Sequence, residues 1–151
     1  MRQGQAAFEY LLLTGVAMLL IVPGAMLFYN YSLRSGDELT RSQIHMIGNE
    51  VTDSVEKVYY IGESSWETLR ISLPESVAWV YILDNSEFVI GYNTRSGIAE
   101  AVFFSDINIT TPYPGPVANQ RYLSPPAEMH AGTTLIRVTS MGGYVLLNET
   151  K

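Results

Sequence analysis

From Gln5 to Leu33 the chain holds no basic residue and a single acid, Glu9. A run of about twenty apolar residues is long enough to cross a bilayer as a helix. Only Met1-Arg2-Gln3-Gly4 precede this one. A secretory signal peptide has a shorter apolar stretch, with a small-residue cleavage site after it. Here the small residue, Gly4, stands before the apolar stretch. A cut at Gly4 would therefore leave the hydrophobic segment on the mature chain, and the fold has to accommodate it permanently.

The helical period continues past the apolar segment. Ile44, Ile47, Val51, Val55 and Val58 recur at the three- and four-residue spacing of an amphipathic helix. Between them Asn49, Glu50, Thr52, Asp53, Ser54, Glu56 and Lys57 form a solvated face. Gly62 is a suitable C-cap. Ser35-Gly36 and Pro23-Gly24 are the only helix breakers in between. The pattern predicts one long helix from about Gln5 to Ile61, kinked or melted near Pro23. At 1.5 Å per residue it is roughly 85 Å long if fully helical. A globular domain of the remaining size is only about 30 Å across. Much of the helix must then find its partners in a membrane or in other copies of itself.

After Gly62 the period changes from that of a helix to that of a strand. Thr68 to Leu73 alternates, with Leu69, Ile71 and Leu73 on one face. Val77 to Leu83 is apolar on both faces, which suits a central strand. Asp84-Asn85 is a tight-turn signal before Glu87 to Tyr92, and Ile98 to Phe104 follows a turn over Asn93 to Gly97. Short strands at this spacing read as an antiparallel meander. Residues 105–132 carry Pro112, Pro114, Pro116, Pro125 and Pro126, which exclude a regular central strand or helix there. Loops of that length are usually functional or intermolecular. A last hairpin pairs Thr134 to Thr139 with Tyr144 to Leu147 around Gly142-Gly143. The predicted class is α+β: a long hydrophobic and amphipathic N-terminal helix, then a small C-terminal antiparallel sheet domain. Its parts are 1–4 as a leader, 5–33 as the hydrophobic helix, 34–62 as its amphipathic continuation, and 63–151 as the β domain with its Pro-rich loop.

Chemistry is hard to find in these residues. The chain has no cysteine, so disulfides, thiolate catalysis and cysteine metal sites are excluded. Its net charge of −6 and the lack of any Lys/Arg cluster argue against a nucleic-acid partner. His45 and His130 stand in unrelated contexts. No metalloprotease, phosphate-loop, nucleophile-elbow or paired-carboxylate signature is present. Asp84, Glu87, Glu100 and Asp106 are expected at strand ends facing solvent, where a calcium site is the weaker alternative. Trp66 and Trp79 have the surface to stack on a sugar, though core or helix-covering roles are commoner for such residues. We expect no enzyme activity, no metal and no cofactor. Asn30-Tyr-Ser, Asn108-Ile-Thr and Asn148-Glu-Thr are candidate N-glycosylation acceptors in an exported chain. Asn108, in a polar Thr- and Pro-rich setting, is the best of the three.

Glu9 asks for an explanation. A carboxylate deep in an apolar membrane helix costs about 2.5–3.5 kcal/mol on insertion scales, and such groups normally pair. The segment offers no cation. A cut after Gly4 would create one, the α-amino group of Gln5, which an adjacent, axially shifted copy could bring to Glu9.

With those residues in view, Gly4-Gln5-Ala6-Ala7-Phe8-Glu9-Tyr10-Leu11-Leu12-Leu13 resembles the class III signal peptide of archaeal type IV pilins. In that family a short basic leader ends in Gly and a prepilin peptidase cuts before the next residue. The pattern continues with a small residue, Glu and Leu, matched here by Ala7, Glu9 and Leu13. Ala7 stands where Ser is commoner. The resemblance implies processing between Gly4 and Gln5, a temporary membrane helix, and extraction by an assembly ATPase and a membrane platform protein into a homopolymeric helical filament outside the cell. Gln5, Glu9 and Leu13 would then be assembly residues, Pro23-Gly24 a kink, and the β domain an outer sheath. It implies an adhesion pilus subunit. The alternatives are a minor pilin or pseudopilin-like subunit of a secretion system, and a monomeric extracellular binding domain tethered by its helix.

Overall fold

The computed structural model describes residues 2–125 and 131–150, with side chains for these except residues 2–6, 33 and 34. It shows one long N-terminal helix followed by a sheet region, an α+β fold. The chain divides into two compact units, Met1–Glu38 and Leu39–Lys151.

Helix α1 runs over Arg2–Ile61. It begins before the expected Gln5, because nothing at Gly4 stops a helix: a glycine costs about 1 kcal/mol relative to alanine but keeps its place in the hydrogen-bond ladder. The chain also stays helical through Pro23, so the melted stretch is not what this chain adopts. Pro23 merely lacks the N–H that would reach the Leu19 carbonyl.

In the first unit, residues 7–32 are exposed on every side of the helix. An 18-residue window within Ala7–Ile61 has a mean hydropathy of 2.4 and none of it is buried. It is long and apolar enough to cross a membrane and is compatible with membrane anchoring.

In the second unit the helix has a core side. Ile44, Ile47, Val51, Val55 and Val58 are all buried, as their spacing predicts. Gly48 belongs to the same stripe because the ring of Phe103 occupies the space a Cβ would need. One member of the expected solvated face does not lie there. Ser54 is buried, its hydroxyl donating to Glu67 Oε2 at 3.0 Å. The helix ends at Gly62, whose φ of 123° is open to glycine.

Nine strands follow: β1 Trp66–Leu73, β2 Val77–Leu83, β3 Glu87–Thr94, β4 Gly97–Phe104, β5 Ile109–Thr110, β6 Tyr113–Pro114, β7 Gln120–Tyr122, β8 Gly132–Ser140 and β9 Val145–Thr150. They form two sheets, one ordered β1-β8-β9-β5 and the other β4-β3-β2-β7-β6. The expected four-strand meander is therefore only three strands long. β1 leaves it and pairs antiparallel with β8, Leu69 opposite Ile136 and Ile71 opposite Thr134. The inward residues of β1 match the alternation: Leu69, Ile71 and Leu73 are buried and their neighbours exposed. β2 is central, between β3 and β7.

The Pro-rich loop is also more ordered than expected. It supplies β5, which pairs parallel with β9, and the β6–β7 pair that extends the second sheet. The prolines obey their constraint. Pro114 is on the edge strand β6, while β7, which bonds on both sides, contains none. Asp84 and Asn85, at φ 51° and 58°, make the left-handed turn expected between β2 and β3. Inward residues of both sheets, among them Val80, Phe88, Ile90, Phe103, Ile136, Val138 and Leu147, join the helix stripe in one core.

Candidate functional site

Three places carry the residues that bear on function: the apolar helix, the helix–β1 contact, and the outer face of the five-stranded sheet.

On the helix, Glu9 and Leu13 are four residues apart and so share a face. Both are exposed, as are Phe8, Tyr10, Leu11 and Leu12 around them. Gly4 and Gln5 fall within α1, and their side chains lie outside the described set. Polar groups further along turn back onto the helix. The Thr14 hydroxyl donates to the Tyr10 carbonyl at 2.8 Å and the Asn30 amide to the Met26 carbonyl at 3.0 Å. Such back-bonding is how short polar side chains satisfy themselves on an apolar helix. A carboxylate such as that of Glu9 has no donor to use in this way.

The three glycosylation sequons have different surroundings. Asn30 is in the apolar helix with its amide spent on Met26. Asn148 is in the middle of β9, half-buried, its Oδ1 accepting from the Tyr113 hydroxyl at 3.4 Å. Asn108 is exposed beside β5, its backbone carbonyl accepting from the Val145 N–H at 2.8 Å.

Between helix and sheet, Lys57 Nζ donates to Glu67 Oε1 at 2.6 Å, while Ser54 donates to Oε2. Lys57 and then Ser54 hold the Glu67 carboxyl below its ordinary value of 4.5. The pair ties the last helical turns to the edge strand β1.

On the outer face of the second sheet, register sets Trp79 opposite Gly91 and Gly91 opposite Glu100. The pyrrole edge of the Trp79 indole lies over Gly91 where a Cβ would stand. Trp79 Nε1–H donates to Glu100 Oε1 at 3.3 Å and the Tyr81 hydroxyl to the same oxygen at 3.2 Å. Burial first, then the neighbouring Glu100 carboxylate, pushes the Tyr81 hydroxyl above its ordinary value. Glu100, expected at a strand end facing solvent, is exposed but stands in the middle of β4, where the hairpin pairing carries it beside Trp79 and Tyr81. Its association with Trp79 was nonetheless available. A turn at Asp84-Asn85 and another at Arg95-Ser96 fix both hairpin registers, and together they line up these three positions.

Of the other residues singled out, His45 is exposed and stands edge-on to Phe103, with ring centres 5.6 Å apart. His130 lies outside the described residues. Trp66 is 61% exposed and carries the Arg137 guanidinium over its ring at 4.8 Å. Asp84 and Asp106 are exposed, as expected of acids at strand ends. Among the described residues no three His, Asp or Glu side chains are grouped to hold a metal.

Comparison with protein-family models, with curated proteins and with solved structures finds no match. The functional reading therefore rests on the residues and their geometry.

Proposed function

We propose that this chain is the structural subunit of an archaeal type IV adhesion pilus. In this reading a prepilin peptidase cuts it between Gly4 and Gln5, it rests in the cytoplasmic membrane, and it polymerises through α1 into an extracellular filament. The observation that carries the proposal is one arrangement. A helix bearing the Gly4, Gln5, Ala7, Glu9, Leu13 pattern is apolar and exposed all round over residues 7–32. In the same chain a separate stripe of the helix fills the core of a β unit.

An apolar helix exposed on all sides needs lipid or other helices around it. Moving it from lipid into a bundle gains little hydrophobic energy, so side-chain packing and specific polar contacts must set the geometry. Glu9 facing the new amine of Gln5 on a neighbouring copy is such a contact. Its desolvation makes it a selector of register more than a source of stability. A head-to-tail contact of this type does not close on itself and builds an open helix. Prepilin peptidase, the assembly ATPase and the membrane platform protein are the implied partners. The β units would line the outside, with Asn108 as the favoured glycan acceptor. No catalytic role is assigned to any residue.

Glu9→Ala tests the pairing. Cells carrying it should make the cleaved subunit with a folded β unit and yet lose filaments, seen by electron microscopy of sheared material. Normal filaments from that variant would refute the register role of Glu9.

A further inference from the structure

We infer that the outer face of the β4-β3-β2 hairpins is a binding site for a neutral pyranose sugar, with Trp79 as the stacking platform and Glu100 as the hydroxyl acceptor. The inference uses residues 77–104 alone and does not depend on polymerisation, so it can fail or hold independently of the pilus reading.

Gly91 stands on β3, which is bonded on both sides, where a glycine weakens a strand. Its effect here is to admit the indole of Trp79. Three atoms of the pyrrole ring, Nε1, Cε2 and Cδ1, all crowd the point where a Cβ would be. The ring therefore turns a face to the sheet and its opposite face away from it. The indole N–H and the Tyr81 hydroxyl both bond Glu100 Oε1, which pins the ring and the carboxylate in one arrangement. No bond among the described residues takes Oε2, and the Glu100 side chain is exposed.

A flat electron-rich ring with a fixed acceptor at its edge suits a ligand with one apolar C–H face and hydroxyls on its rim. Pyranoses with several axial C–H groups on one face have that shape. In a β-galactoside C3–H and C5–H are axial on one face, and the equatorial C4–H, set opposite the axial 4-hydroxyl, widens the same apolar face. Ile98 and Val102, exposed on either side of Glu100 along the edge strand β4, extend the apolar margin. The sugar would be neutral, because Glu87 is on the same outer face and the chain carries a net −6. Two sources would supply this chemistry: a free surface glycan, or a glycan carried by a neighbouring copy at Asn108.

The test uses the full chain with Trp66→Phe, so that Trp79 is the sole indole, in a detergent without a sugar headgroup. Methyl β-D-galactopyranoside is titrated while indole fluorescence is followed. A saturable change in the millimolar range is expected, with at least a tenfold loss of affinity in Trp79→Ala, read by ligand-observed NMR. Glu100→Ala, at an exposed position, should keep the fold and weaken binding several-fold. Absence of a saturable response from both untreated and glycan-stripped chain, or unchanged affinity in Glu100→Ala, overturns the proposal. Binding by chain enzymatically stripped of its own glycans, equal to that of untreated chain, assigns the site to free sugar. Binding that appears only after stripping assigns it to the neighbour's glycan.

Discussion

Residues 7–32 and residues 39–61 belong to the same helix and treat their apolar side chains in opposite ways. In the first stretch Phe28 is 74% exposed and Leu20 69%; in the second Ile44 and Val51 are fully buried. The difference lies in pattern, because both stretches are rich in large apolar residues. The second sets Ile44, Ile47, Val51, Val55 and Val58 on one stripe, which a sheet can cover, and leaves only Leu39, Met46, Tyr60 and Ile61 exposed among its large apolar residues. The first has them all round, which no single sheet can cover. One stretch is thus completed within the chain, while the other leaves its apolar side chains uncovered and is compatible with membrane anchoring.

That contrast can be broken by substitution, most sharply in the buried stripe. Ile44→Ala should cost the second unit about 2–5 kcal/mol, the usual range for truncating a buried aliphatic side chain. Leu20→Ala, in the exposed stretch, should leave the same unfolding midpoint within about 0.5 kcal/mol. Denaturant unfolding of the full chain in detergent, followed by Trp fluorescence, reads both. Equal effects at the two positions would erase the distinction.

The glycines give the next largest contrast. Gly48→Ala puts a methyl group into the Phe103 ring and should destabilise by about 1–3 kcal/mol. Gly15→Ala meets open space and should strengthen the helix by up to about 1 kcal/mol. Far-UV circular dichroism on heating separates a gain in helix from a loss of the β unit.

The smallest effect belongs to Glu67. Its partners lower its folded-state value, so its contribution is present above the ordinary 4.5 and disappears as pH falls through the lowered value. Lys57 is largely solvated and Glu67 partly so, which screens the pair, so Glu67→Gln should cost only about 0.5 kcal/mol at neutral pH and nothing in strong acid. A cost that persisted in acid would mean that Glu67 acts through packing rather than charge.

Much of this was readable from periodicity. The stripe from Ile44 to Val58, the alternation of β1 and the turn at Asp84-Asn85 are local patterns, and the structure has all three. Ser54 was misread because a serine on a helix looks solvated until a partner such as Glu67 arrives from elsewhere in the chain. β1 was assigned to the wrong sheet for a similar reason. Alternation shows that Leu69, Ile71 and Leu73 share a face, and is silent on whether β2 or the distant β8 lies beside them. The two- and three-residue strands β5 to β7 are too short to carry any period. At the outer sheet face, Trp79 and Glu100 were each singled out, but only the paired registers of two hairpins bring them together, across Gly91. In the exposed helix the sequence was the better guide: Glu9 stands out because its segment from Gln5 to Leu33 contains no cation.

The completion of the exposed stretch by other copies is tested most directly by the N-terminal residue of this chain in material sheared from cells. A filament subunit should be recovered there beginning at Gln5, with its apolar helix intact. Recovery only from detergent-solubilised membranes, uncut and beginning upstream of Gln5, would contradict it and leave the helix as a tether.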